Sequence, residues 1–321
     1  MGLSLLCEIT CAVALFIFGI SLLGDGLSRA AGGRMERALR RMTDSRLRGF
    51  LTGTAVTAVV QSSTAVSVLT AELAESGILT LRCTIPVLIG ANVGTTATAW
   101  LLYAARGLPY TAVFSALLAL AGVVLCFMPK RRHWGSVLLG LLILLTGMKA
   151  ITAAAQPLTQ TVFVRRLFAA AQHPFWGLLG GILLTVLVQS SSVSVGLLQA
   201  LSVGGQVSYA MAIPVVLGEN IGTCLTVFLA ALGGKRRAGQ AAWAHLLFNI
   251  IGAAVVLLAL VIAELTGFTE MLANQAGFMG IAVIHTVFNL IGAAVFLPLN
   301  EPFAALIERL TARPWNGSAN R

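Results

Sequence analysis

The chain contains the same stretch twice. Residues 60–64 read VQSST and residues 188–192 read VQSSS; residues 85–95 read IPVLIGANVGT and residues 213–223 read IPVVLGENIGT. Both blocks are related by one ungapped offset of 128 residues, which also pairs Gly19 with Gly147, Gly49 with Gly177, Gly53 with Gly181 and Gly77 with Gly205. Apolar low-complexity sequence inflates matches among Leu, Val and Ala, but not matches of Gln, Asn and Pro at fixed spacing. A duplication of this kind dictates the architecture. One unit covers about residues 3–128, a second about 131–256, and a further apolar segment, about 275–298, lies outside the repeat.

The solvent for such a unit follows from its charge content. Only 10% of the residues are charged and 58% are hydrophobic, whereas a soluble domain carries about 25% charged residues. A chain this poor in charge cannot cover a water-facing surface. In lipid the backbone must satisfy its own hydrogen bonds, so the expected fold class is an all-α membrane protein. A helix needs about 20 apolar residues to cross the bilayer core. Segments near that length fall at about 3–24, 83–104, 109–128, 134–152, 207–232, 239–264 and 275–298, giving roughly seven spanning helices. Two further stretches, about 49–78 and 177–206, are broken near the middle by polar residues. Each is too long for one span and too short for two, which suits a re-entrant hairpin.

The net charge of +10 resides between the spans rather than on one solvated face, which argues against nucleic-acid binding. Arg29, Arg34, Arg37, Arg40, Arg41, Arg46 and Arg48 outnumber Glu36 and Asp44 in the first cluster; Lys130, Arg131 and Arg132 form the second, Lys235, Arg236 and Arg237 the third. With the N-terminus outside, all three clusters fall on the cytoplasmic side, as does the tail with Arg309 and Arg313. Arg165 and Arg166 fall outside, against the rule. The expected organisation is one transport domain over 1–300 and a cytoplasmic tail over 301–321. Each unit holds three full spans, an odd number, so the second unit is inverted relative to the first. Inverted repeats with interrupted segments at matching positions are a recurring plan of secondary transporters.

The interruptions carry the chemistry. Gln61, Ser62, Ser63 and Thr64, with Gln189, Ser190, Ser191 and Ser192, sit where the hairpins turn at membrane depth. A helix begins after each Ser run, and its free N–H groups and positive dipole end favour an anion. Hydroxyls and the Gln amide add donors without a fixed cation, so a bound oxyanion can leave again. The second element is the GxNxGT pair, with Asn92 and Thr95 in one copy and Asn220 and Thr223 in the other. Pro86 and Pro214 with the neighbouring glycines are expected to unwind these helices and free carbonyl oxygens for a monovalent cation. Glu219 replaces Ala91 and could offset a cation's charge or carry a proton. The plainer reading of such small polar residues is helix–helix packing. Matched duplicates favour binding.

His245–Asn249 reads HLLFN and His285–Asn289 reads HTVFN, forty residues apart and outside the 128-residue register. His and Asn at i and i+4 share a helix face and point to a polar interhelical contact, with a proton-coupled role for the histidines as the alternative. Asp25, between Gly24 and Gly26, reads as a cap or turn. No Walker motif, HExxH or GxSxG is present, and the Ser runs lack a partnered base, so no enzymatic activity is expected.

At these residues the sequence resembles the type II sodium–phosphate cotransporter family, specifically its bacterial branch, over about residues 3–300. The QSS(S/T) pair is the most specific mark and the GxNxGT pair supports it. The resemblance implies inverted repeats with re-entrant hairpins, inorganic phosphate as substrate, sodium as coupling ion, and a bacterial cytoplasmic (inner) membrane location. It places phosphate at the eight QSS(S/T) residues and Asn92, Thr95, Asn220 and Thr223 near it or near sodium. Many bacterial members continue into a PhoU-like helical domain. This chain stops at Arg321, so such regulation is expected to be absent or to come from a separate PhoU-like protein. The leading expectation is a sodium-coupled symporter working by alternating access. A phosphate or anion channel and a non-transporting receptor or scaffold for a cytoplasmic phosphate-signalling partner are the alternatives.

Overall fold

The computed structural model describes residues 2–32, 37–38, 45–108, 111–158, 161–231, 236–267 and 270–312. Arg34, Glu36, Arg40, Arg41, Asp44, Lys235 and Arg313 of the expected charge clusters lie outside the described residues. The named elements are all helices: α1 (Gly2–Ala31), α2 (Arg46–Val60), α3 (Ser63–Glu75), α4 (Leu81–Arg106), α5 (Ala112–Phe127), α6 (Arg132–Leu158) and α7 (Val162–Gln172). Then come α8 (Pro174–Val188), α9 (Ser191–Ser202), α10 (Tyr209–Ala231), α11 (Arg236–Leu265), α12 (Glu270–Ala273), α13 (Gly277–Phe296) and α14 (Asn300–Leu310). Six of them, α1, α4, α6, α10, α11 and α13, are long and apolar enough to cross a membrane. The seventh expected span is α5, 16 residues long.

Close glycine contacts fix the helix directions. Gly19 lies against Leu144, Gly140 against Leu23 and Gly26 against Val137, so residue numbers fall along α6 as they rise along α1. The two helices are therefore antiparallel. Gly147 meets Phe16 as Gly19 meets Leu144, and these are one contact seen from the two repeats. A helix that packs antiparallel on its own repeat mate demonstrates the inversion directly.

Within each repeat the opposite rule holds. Gly49 lies against Pro86, Gly53 against Val87 and Gly94 against Thr57, so α2 and α4 run parallel. Gly177 against Pro214, Gly181 against Val215 and Gly222 against Thr185 make α8 and α10 parallel in the same way. The returning helices α3 and α9 must then bring the chain back to the face it left. At 15 and 13 residues, α2 and α3 extend only about 22 and 20 Å, short of a core about 30 Å thick. Both expected re-entrant hairpins are present, entering from opposite faces.

Polar contacts tie the helix ends at each face. On one, called the basic face here, Glu301 pairs with Arg46 at 3.0 Å and Arg82 at 2.9 Å. Glu75 there accepts from the amides of Arg237 and Ala238 at the start of α11. On the opposite face the amides of Tyr209 and Ala276 donate to the carbonyls of Asn274 and Val207. Of the segment expected as a tail, α14 buries Phe303, Ala304 and Ile307 against Ile85, Phe248 and Phe296.

One local expectation is corrected. The helices carrying GxNxGT do not unwind: α4 continues through Pro86 and α10 through Pro214. The Arg82 carbonyl, four residues before Pro86, receives the Asn300 side chain at 2.9 Å instead of an amide. The glycines there serve close packing. The segment before the second hairpin also holds an unforeseen helix, α7, bent 110° from α8 at His173. It has no buried residue and presents Phe163 and Leu167 beside Arg165 and Arg166. Such a helix suits the membrane interface, where arginines keep their charge in water at the face that the simple charge rule disfavours.

Candidate functional site

Each hairpin turns on one residue in a conformation that few side chains adopt. Gln61 ends α2 with φ 60° and Gln189 ends α8 with φ 56°, and among the described residues these are the two non-glycine residues at positive φ. The left-handed region costs an ordinary residue roughly 1–2 kcal/mol. Its retention at matched positions marks both tips as places where the side chain matters more than the backbone strain.

The next residue is extended and caps the returning helix. Ser62 Oγ accepts from the Ala65 amide at 3.2 Å, and Ser190 Oγ accepts from the Val193 amide at 3.3 Å. The helices thus open at Ser63 and Ser191, and their first N–H groups have no acceptor within the helix. Both positive helix ends point at one place, from opposite sides of the membrane.

That place is a cavity of about 410 Å³. All eight predicted substrate residues line it: Gln61, Ser62, Ser63, Thr64, Gln189, Ser190, Ser191 and Ser192. The rest of the wall is mainly α1, from Ile17 to Ser28, so the cavity extends from mid-membrane toward the basic face. Ser63, Ser191 and Ser192 are nearly buried, at 4–5% exposure, while Gln61 and Ser62 are half-buried.

One residue joins the two hairpin tips. Thr98, on α4, donates to Gln61 Oε1 at 2.8 Å, and its oxygen lies 3.2 Å from Ser192 Oγ. With the Thr98 proton committed to Gln61, Ser192 is the donor in the second contact. Gln61 also donates its amide to the Ala58 carbonyl, so both ends of this side chain are fixed. Sequence reasoning missed Thr98, although Thr226 matches it at the same offset.

Asp25 was missed too. The Gly-Asp-Gly run lies inside α1 rather than in a turn, and Asp25 lines the cavity. Gly24 sits under the Val60 carbonyl and Gly26 against His133 and Val137, so these glycines serve packing.

The other five predicted residues are not in the cavity wall. Asn92 is held between α4 and α11: His245 Nε2 lies 2.7 Å from its Oδ1, and its Nδ2 donates to Asn249 Oδ1 at 2.9 Å. Asn220 accepts from Asn289 at 3.3 Å. The HxxxN face of α11 thus clamps Asn92 through both His245 and Asn249, whereas that of α13 reaches Asn220 through Asn289 alone, with neither ring nitrogen of His285 hydrogen-bonded among the described residues. Thr95 and Thr223 donate back to the carbonyls of Ala91 and Glu219. Glu219 is fully buried, and neither carboxylate oxygen has a hydrogen-bond partner among the described residues. Among those residues no group of His, Cys, Asp and Glu could hold a metal through three such side chains.

A multi-pass helical protein with inverted hairpins meeting at a polar cavity has the layout of a membrane transporter. Comparison with known proteins agrees. The family described as Na+/Pi-cotransporter matches residues 15–153 and again residues 142–292, and the chain belongs to that family. It is 34% identical over 310 residues to the uncharacterized protein YqeW of Bacillus subtilis, covering 95% of this chain and 98% of that protein. It is 30% identical over 250 residues to the putative inorganic phosphate export protein YjbB of Salmonella typhimurium, covering 77% of this chain and 45% of YjbB. Over 148 residues it is 33% identical to the rat sodium-dependent phosphate transport protein 2A, covering 44% of this chain and 22% of that protein. No solved structure matches the chain.

Proposed function

We propose that this protein is a sodium-coupled secondary transporter of inorganic phosphate that works by alternating access. The observation that carries the reading is the convergence of two inverted Gln-Ser-Ser tips on one cavity, each tip opening a helix. Phosphate sits between the two helix ends, held by their N–H groups and by the hydroxyls of Ser63, Thr64 and Ser191, with Ser192 beside them bonded to Thr98. Gln61 and Gln189 orient it from the hairpin turns. Family membership supports phosphate as the substrate, as do the names of YjbB and of protein 2A.

Asp25 supports the coupling to a cation. Two like unit charges about 6 Å apart repel by roughly 3 kcal/mol at an effective dielectric of about 20. A carboxylate and a phosphate in one cavity therefore favour a cation between them. Sodium, ligated by Asp25, the Gln61 or Gln189 carbonyl and a serine hydroxyl, meets that need. The buried GxNxGT elements, with Glu219, form a supporting layer that holds α4 and α10 against the hairpins.

Residues 1–300 act as one transport domain in a bacterial cytoplasmic membrane, with the basic face inside. Arg29, Arg46, Arg48, Arg82, Lys130, Arg131, Arg132, Arg236, Arg237 and Arg309 lie at helix ends of that face, against Arg106, Lys149, Arg165 and Arg166 at the other.

The test is radiolabelled phosphate flux in liposomes holding the purified chain. A sodium gradient is expected to drive accumulation at least tenfold over an equal potassium gradient. Flux indifferent to sodium would indicate a channel, and binding without flux a receptor; either overturns the coupled mechanism. Asp25→Asn is expected to raise the sodium concentration for half-maximal flux about tenfold, close to the 1.4 kcal/mol loss of one favourable ionic contact. An unchanged sodium dependence would remove Asp25 from the cation site.

A further inference from the structure

A second cavity, of about 770 Å³, lies at the face opposite the basic one, among the C-terminal ends of α4, α6 and α9. Its relation to the central cavity is one of symmetry. The α1 wall of the central cavity includes Ile17, Ile20, Ser21, Gly24 and Asp25. Adding the repeat offset gives Leu145, Met148, Lys149, Thr152 and Ala153, and all five line the second cavity. Because α1 and α6 are antiparallel, these two walls face opposite sides of the membrane.

Between the cavities lies an apolar septum. Phe16, Leu102, Leu144, Val193 and Leu197 pack in one cluster that also contains Ile20 from the central wall and Met148 from the other. The Phe16 ring is fully buried and lies so close to Gly196 that a β-carbon there would clash with it. The α6 wall of the second cavity is thus the repeat-symmetric image of the α1 wall of the central one, and the plug separates the second cavity from the hairpin tips.

The symmetry fails in its charges. Asp25 is replaced by Ala153, and Ser21 by Lys149. Arg106 adds a second cation to the same wall, its guanidinium carbon 5.2 Å from the Phe278 ring centroid, a distance suited to cation–π ordering. Among the described residues the lining holds these two cations and no carboxylate, with Thr152 and Gln206 as polar neighbours.

We infer that this cavity is a docking vestibule for a small oxyanion, formed by Arg106 and Lys149, through which substrate reaches the hairpin tips when the septum opens on that side. The identification of the oxyanion as phosphate rests on the reading above; the electrostatic character of the vestibule does not. A concave apolar wall focuses the field of its charges and raises the local concentration of the opposite ion. The effect is screened by salt, because the Debye length falls from about 10 Å at 0.1 M to about 3 Å at 1 M.

Two measurements test it. In the first, Ala153→Cys is made in the vestibule, and its labelling rate by an anionic and by a cationic thiosulfonate is read by peptide mass. The anionic reagent is expected to gain about tenfold, relative to the cationic one, over the same variant carrying Arg106→Gln and Lys149→Gln. Equal rate ratios in the two backgrounds would overturn the vestibule, whether or not the protein moves phosphate. In the second, phosphate is supplied from this face at constant sodium, with ionic strength varied by choline chloride. Lys149→Gln is expected to raise KM about threefold to tenfold at low ionic strength, with the maximal rate within twofold of wild type. Lys149→Arg should restore KM, and the difference should vanish near 1 M salt. A wild type that moves phosphate while Lys149→Gln keeps the same KM at every salt concentration would sink the proposal and leave the transport reading intact.

Discussion

Gly53→Ala and Gly181→Ala are expected to destabilise the folded protein by about 3 kcal/mol or more each, against the general gain of about 1 kcal/mol for alanine over glycine in a helix. A β-carbon at Gly53 would lie 2.2 Å from the Val87 carbonyl oxygen, and one at Gly181 2.0 Å from that of Val215. The obstacle in both cases is backbone of a helix that is itself buried, so no side chain can swing away. Relief requires α2 to part from α4, or α8 from α10. Those contacts hold each hairpin against its supporting helix, so the hairpin tip moves with them. The control is Gly180→Ala, one residue from Gly181 on the exposed side of α8, where a β-carbon meets nothing within 4 Å. It should be neutral or slightly stabilising. The measurement is the fraction of each variant that stays monodisperse in detergent after a series of heating steps. Gly53→Ala or Gly181→Ala melting with the wild type would refute the parallel hairpin packing.

The hairpins were legible before any coordinates because two physical lengths disagree: an apolar stretch of about 30 residues and a bilayer that needs about 20. The inversion followed from counting spans. The eight tip residues followed from their being polar where lipid demands apolar. What stayed hidden was hidden for a reason in each case. Glutamine has no marked preference for positive φ, so nothing in the letters of Gln61 and Gln189 announces a left-handed turn. Gly-Asp-Gly reads as a turn because turns and close helix packing recruit the same residue; only the neighbours of Gly24 and Gly26 separate the two uses. A proline within α4 suggests a break, yet Asn300, more than 200 residues away, occupies the carbonyl that an amide would otherwise fill. The partners of Asn92 are likewise distant in sequence, so its letters alone do not show that His245 and Asn249 hold it between helices.

The second large effect separates substrate contact from architecture within a single motif. Ser63→Ala and Ser191→Ala are each expected to weaken phosphate binding by about 1–3 kcal/mol, or roughly fivefold to a hundredfold, and the double variant is expected to abolish measurable transport. Both residues are nearly buried and line the cavity, and their hydroxyls make no hydrogen bond to the described protein, so their loss leaves no partner stranded inside the fold. Ser62 and Ser190 differ. Their oxygens cap α3 and α9, so alanine there costs about 1 kcal/mol of helix stability and disturbs the tip whether or not phosphate is present. The paired comparison therefore has a definite signature. Ser63→Ala and Ser191→Ala should lose phosphate affinity at wild-type thermal stability, whereas Ser62→Ala and Ser190→Ala should lose both. Saturation binding of radiolabelled phosphate and thermal stability, measured on the same four preparations, resolve the two patterns. Wild-type binding in the Ser63→Ala Ser191→Ala double variant would return the whole motif to helix packing and leave the cavity without its principal ligands.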